Sequence, residues 1–155
     1  MKSKFKFPLA AFLLVMASAL VVNCSDDDDP KKDNSLYTRL GGIEAISAVT
    51  DKFLANVAAD AMINSRFEAT VANPSRLQLL RNNLIDQICA GAGGPCQYKG
   101  LTMAEAHEGM NITEAEFTAL VGDLVAALDH FEVPEKEKND LLAILGPMQS
   151  DIVGK

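Results

Sequence analysis

Tryptophan is absent from this chain, and histidine and cysteine are scarce, with two and three copies in 155 residues. Each scarcity removes a class of chemistry. Two histidines without an H-E-x-x-H pattern cannot build the zinc helix of a metalloprotease, and no paired-cysteine zinc spacing occurs. A Gly-x-Ser-x-Gly elbow and a Walker loop are missing as well. Basic residues are outnumbered by acidic ones, 14 against 21, for a net charge of −7. No basic stripe is left to follow phosphates, which excludes nucleic acid as a partner. Sustained period-two alternation is also lacking, so strands are not expected.

What is present begins with a leader. Lys2, Lys4 and Lys6 precede an apolar run from Leu9 to Val22, and its 14 residues fall short of the ~20 that a helix needs to cross a bilayer. Residues 1–23 therefore read as a signal peptide. The run ends at Val21-Val22-Asn23-Cys24, which resembles a bacterial lipobox with Cys24 as the lipidated residue. Asn23 departs from the small residue usual there, and ordinary cleavage nearby with Cys24 incidental is the alternative. A diacylated, N-acylated cysteine would anchor the chain to a membrane. Residues 24–34, with four consecutive aspartates and a proline, can bury nothing and read as an acidic tether. Without the three leader lysines, 11 basic residues face 21 acidic ones, a net charge of −10. An anionic membrane repels such a domain, so any anchoring falls to the lipid. The expected location is the cell envelope, on the periplasmic or surface side.

Cys89 and Cys96 stand seven apart around Ala90-Gly91-Ala92-Gly93-Gly94-Pro95. In an oxidising compartment they are expected to form a disulfide, the alternative being two buried thiols. So short a loop gives a modest gain, about 2 kcal/mol by chain entropy.

From Ser35 onward the patterning is helical. Ile43, Ile46, Val49, Phe53 and Val57 recur at spacings of three and four, and so do Leu77, Leu80, Leu84 and Ile88 after Pro74. Asn64 to Asn73 has no period and reads as irregular turns around Phe67. Cys96 to Asn111 is also irregular, with one helical turn near Met103 to His107. Thr113 and Glu116 form a capping box for a helix carrying Phe117, Leu120, Leu124 and Leu128. Pro134 suits the first turn of a last helix, which Gly146-Pro147 should kink or end. The class is all-α, with four substantial helices in one domain over residues 35–155.

The two histidines differ. His130 closes a helix, where the C-terminal dipole accounts for it. His107 lies in Met103-Ala104-Glu105-Ala106-His107-Glu108-Gly109, and its spacing by itself favours a structural role over a ligand one.

Residues 36–153 resemble a group I truncated haemoglobin. The matching pieces stand in family order: Leu36-Tyr37-x-Arg39-Leu40-Gly41-Gly42, Asp51-Lys52-Phe53, Gly93-Gly94-Pro95 with Tyr98, Met103-x-x-x-His107-x-Gly109-x-x-Ile112-Thr113, Leu124-Val125-x-x-Leu128 and Val133-Pro134. The resemblance implies a two-over-two helical globin around haem b, with His107 as the iron ligand. It implies Phe67 as the phenylalanine stacked on the macrocycle and Phe53 as one lining the cavity. The gas would face Leu80, Leu84 and Asn83 or Gln87. Attachment would be non-covalent, because no Cys-x-x-Cys-His occurs.

The chain departs from the resemblance at Leu54, where many group I members have a tyrosine that donates a hydrogen bond to O₂. A neutral bond of that kind is worth on the order of 1 kcal/mol, or about 5-fold in dissociation. Faster O₂ release and easier oxidation of the iron are therefore expected. The function implied is reversible binding of a diatomic gas (O₂, NO or CO) by an exported protein. NO dioxygenation with an external reductase, or an envelope haem carrier or sensor, stands as the alternative.

Overall fold

A computed structural model describes residues 33–155. The leader, Cys24 and the tether up to Lys32 lie outside the described residues.

Seven α-helices follow one another: α1 (Leu36–Arg39), α2 (Gly42–Ala59), α3 (Glu68–Val71), α4 (Pro74–Gly91), α5 (Met103–His107), α6 (Glu114–His130) and α7 (Glu135–Leu145). Short 3₁₀ turns cover Asn64–Arg66 and Gly146–Asp151. The only bridge of strand type among the described residues joins Ile112 to Val153.

Gly41 and Gly42 carry φ of +94° and +75°, a backbone region open to glycine at little cost. That permits the sharp corner from α1 into α2. The predicted stripe of α2 then faces inward from its second member on, with Ile46, Val49, Phe53 and Val57 all buried, while Ile43 in the first turn is exposed. Thr50, fully buried beside them, donates its hydroxyl to the Ile46 carbonyl at 2.8 Å and so leaves no orphan group. Helix α2 is the centre of the fold, packing against both α4 and α6.

The Asn73 side chain caps α4 by accepting from the N–H groups of Ser75 and Arg76, each at 3.1 Å. Pro74 takes the first position, where its missing donor costs nothing. The face of α4 against the core is Ile85, Ile88 and Cys89, while Leu80 and Leu84 are half-buried one side round. The Thr113–Glu116 box caps α6 as expected. Helix α7 begins at Glu135, one residue beyond Pro134, and gives way to a 3₁₀ turn at Gly146-Pro147. Cys89 and Cys96 are joined as a disulfide with their Cα atoms 5.7 Å apart.

Candidate functional site

Between α2, α4, α5 and α6 lies a cavity of about 400 Å³, in the range of small-molecule and cofactor sites. All six residues singled out from the sequence, Phe53, Leu54, Phe67, Leu80, Leu84 and His107, line it. Phe53 and Leu54 come from α2, Leu80 and Leu84 from α4, and His107 from the last position of α5. His130 lies elsewhere, exposed at the end of α6 with its ring edge-on to Phe131.

The tautomer of His107 follows from one bond. Its Nδ1 sits 2.8 Å from the Met103 carbonyl oxygen, which can only accept, so Nδ1 carries the proton and donates it. In the neutral ring Nε2 then keeps its lone pair, the form in which imidazole binds a metal. Among the described residues no group of three or more His, Cys, Asp or Glu comes together to hold a metal ion. One imidazole in an apolar cleft is what a metal already held by a macrocycle needs from a protein.

Elsewhere in the lining Leu54, Leu80 and Leu84 offer no donor, whereas the amides of Asn83 and Gln87 do. The Gln87 amide donates to the thioether sulfurs of Met103 at 3.4 Å and Met148 at 3.5 Å, both weak acceptors.

Two cations line the cavity as well, Arg66 and Arg76. Arg66 holds the Glu116 carboxylate through Nε at 2.8 Å and Nη2 at 3.1 Å, and donates to the Met110 carbonyl at 2.8 Å. This arginine with the Thr113 N–H and hydroxyl lowers the Glu116 carboxyl to a pKa of about 2. Arg76 stands in the first turn of α4, on the exposed side of the cavity. A flat apolar ring bearing carboxylates fits these surroundings, with aromatic and aliphatic walls, one metal-ready imidazole and Arg76 at the exposed side for an acid.

Several lining residues escaped the sequence reading. Phe117 reads as an ordinary core position of α6, and Arg66 and Arg76 as ordinary surface cations. Helix α5 did leave a signal. Thr102 and Glu105 form a reciprocal capping box, the same signature that located α6, and it marks the start of the helix bearing His107.

The comparisons with known proteins agree with this arrangement. Residues 35–153 match the family model described as bacterial-like globin. The chain is 31% identical over 118 residues to a group 1 truncated hemoglobin of Mycolicibacterium paratuberculosis, covering 76% of this chain and 83% of that protein. A group 1 truncated hemoglobin of Tetrahymena pyriformis is likewise 31% identical, covering 80% and 98% of the two chains. The crystal structure of the Tetrahymena pyriformis truncated hemoglobin in its Fe(III) form superposes with a TM-score of 0.71 at 30% identity, over 78% of this chain and 99% of that one. The 2/2 hemoglobin of a Synechococcus, solved in the cyanomet state with covalently attached heme, gives 0.69 at 26% identity over 77% and 98%. Matched by the family model across nearly all its described residues, and by curated relatives over most of their own length, this chain belongs to the bacterial-like globins, as a truncated hemoglobin of group 1.

Proposed function

We propose that this globin is an exported, lipid-anchored protein that holds haem b non-covalently through His107 and reversibly binds O₂ or NO. Haem as the cofactor and a diatomic gas as the ligand come with the family. The finer assignments are ours. The observation that carries them is that His107, its Nδ1 engaged by the Met103 carbonyl, shares one cavity with Leu54, Leu80 and Leu84. The haem supplies the iron at which the gas is held. This chain supplies the imidazole, the surfaces of Phe67 and Phe53, and a space lined by Leu54, Leu80 and Leu84.

That space sets the chemistry expected of the site. O₂ held at an iron takes on partial negative charge and gains from a hydrogen-bond donor, whereas NO and CO depend on one far less. With leucines at 54, 80 and 84, NO and CO are retained better relative to O₂ than in a relative with a tyrosine at that position. Export is supported by the leader-like residues 1–23 and by the Cys89–Cys96 disulfide, since such bonds persist in oxidising compartments. In this reading Cys24 carries the lipid and residues 24–34 space the domain from the membrane.

The test is reconstitution of the full chain with haemin, followed by visible spectra with and without dithionite, O₂, CO and NO. A Soret band that shifts with CO and NO and returns on their removal is expected. Failure to take up haem, or a spectrum indifferent to all three gases, overturns the reading.

A further inference from the structure

The helix that bears His107 is the least self-sufficient part of the site. It has five residues, too few to form alone in water, so its place depends on its two flanks, on the weak Gln87–Met103 bond and on the Gly146–Asp151 turn it packs on. On the far side of His107 the ties are several. The Met110 carbonyl accepts from Arg66, and Ile112 pairs with Val153 and accepts from the Gly154 N–H at 2.9 Å.

The near side is different. Between Cys96 and Leu101 the one hydrogen bond among the described residues is internal, from the Tyr98 hydroxyl to the Leu101 carbonyl at 2.8 Å. The Thr102–Glu105 box is internal to α5 as well. The firm attachment of this segment is the bond from Cys96 to Cys89, which is fully buried in the last turn of α4. The turn between them closes tightly over that sulfur. A Cβ on Gly94 would fall 2.7 Å from Cys89 Sγ and 2.5 Å from the Tyr37 ring. Helix α4, meanwhile, is fixed independently by Ile85 and Ile88 in the core.

We propose that the Cys89–Cys96 disulfide is a positioning crosslink for the iron ligand. It joins the helix that carries the gas-facing leucines to the strap that delivers His107. The distance and tilt at which the imidazole meets the iron are thereby set in the oxidised chain and relaxed when the bond is absent. The inference rests on His107 being the ligand. Reduction by a dithiol tests it without mutation. One thiolate of the reagent attacks Cys96 Sγ, the Cys89 thiolate leaves and takes a proton, and the second thiolate of the reagent frees Cys96. The reagent ends as its own disulfide.

The experiment uses the haem-loaded protein in three forms: oxidised wild type, dithiol-reduced wild type and the C89A/C96A double variant. The readouts are the iron–histidine stretching band of the ferrous, ligand-free protein by resonance Raman, haem transfer to excess apomyoglobin, and helix content by circular dichroism. Both disulfide-free forms should show a shifted or broadened band and lose haem about tenfold faster, with helix content retained. Val49→Ala, a core truncation that does not line the cavity, should lower stability and leave the band in place. A band and loss rate unmoved by removal of the disulfide, or a band moved equally by Val49→Ala, overturns the crosslink's role. An iron–histidine band missing from the oxidised wild type overturns the ligand assignment along with it.

Discussion

The two walls of the cavity are built on opposite plans. The α4 wall is an 18-residue helix, capped by Asn73 and seated in the core by its own Ile85, Ile88 and Cys89. Its cavity residues are three leucines, Leu79, Leu80 and Leu84, and three polar side chains, Arg76, Asn83 and Gln87. The α5 wall is a five-residue helix, none of whose residues is buried. It is held from outside by an arginine, a disulfide and a terminal bridge. A long helix places its side chains through its own buried face, because every turn adds apolar area to the same core. A short one cannot, and must borrow its position from neighbours. The comparison teaches that, under the proposed function, ligation and gas discrimination should fail in different ways. Loss of a tie should disturb the α5 side, while a change of side chain should retune the α4 side without moving it.

The largest effect expected on that contrast comes from His107→Ala. Removal of the one imidazole on the α5 wall should weaken haem retention on the order of 100-fold, read as loss of the Soret band to apomyoglobin, with helix content unchanged. Retention within about twofold of wild type would place the ligand elsewhere and dissolve the distinction between the walls.

A smaller effect belongs to the leucines, where Leu54 of α2 lines the cavity with Leu80 and Leu84 of α4. Leu54→Tyr, which puts a hydroxyl among the leucines, should slow O₂ release about 5-fold in stopped-flow displacement by CO. Haem retention should not change. An unaltered off-rate would mean that another group, Asn83 or Gln87, already supplies the donor.

The third tests the ties by pH. Glu116 titrates near 2 in the fold, below the ordinary carboxylate range near 4.3. Its contribution to stability is therefore present above that range and is lost as pH falls from about 4.5 toward about 2. Urea unfolding near pH 5 and near pH 3 should show wild type losing stability on acidification, and Glu116→Gln losing measurably less. Equal losses in the two proteins would remove the Arg66–Glu116 pair from the support of the α5 side.

Much of this was legible in the chain before its folding was known. Apolar spacing located α2, α4 and α6, and Gly146-Pro147 marked the end of α7, because backbone propensity and helical periodicity are local properties. His107 drew its weight from the ordered segments around it more than from its spacing. The capping signature at Thr102 and Glu105 was equally available, and it explains why a helix exists at a place where periodicity is too short to show. Arg66 and Glu116 were not legible as a pair. They lie fifty positions apart, and nothing in either neighbourhood marks the other.

The sequence by itself determined the helical class and the principal helix faces, since each depends on residues within a few turns of one another; His107 was singled out only by the resemblance that runs along the whole domain. Only the tertiary structure decided that residues from α2, α4, α5 and α6 share one cavity, that Arg66 and Arg76 line it, and that Cys89 and Cys96 are bonded beneath the Gly94 turn. The physical reason is that a cavity is bounded by side chains from separate helices. Where those helices cross is settled by the packing of the whole core and not by any one of them.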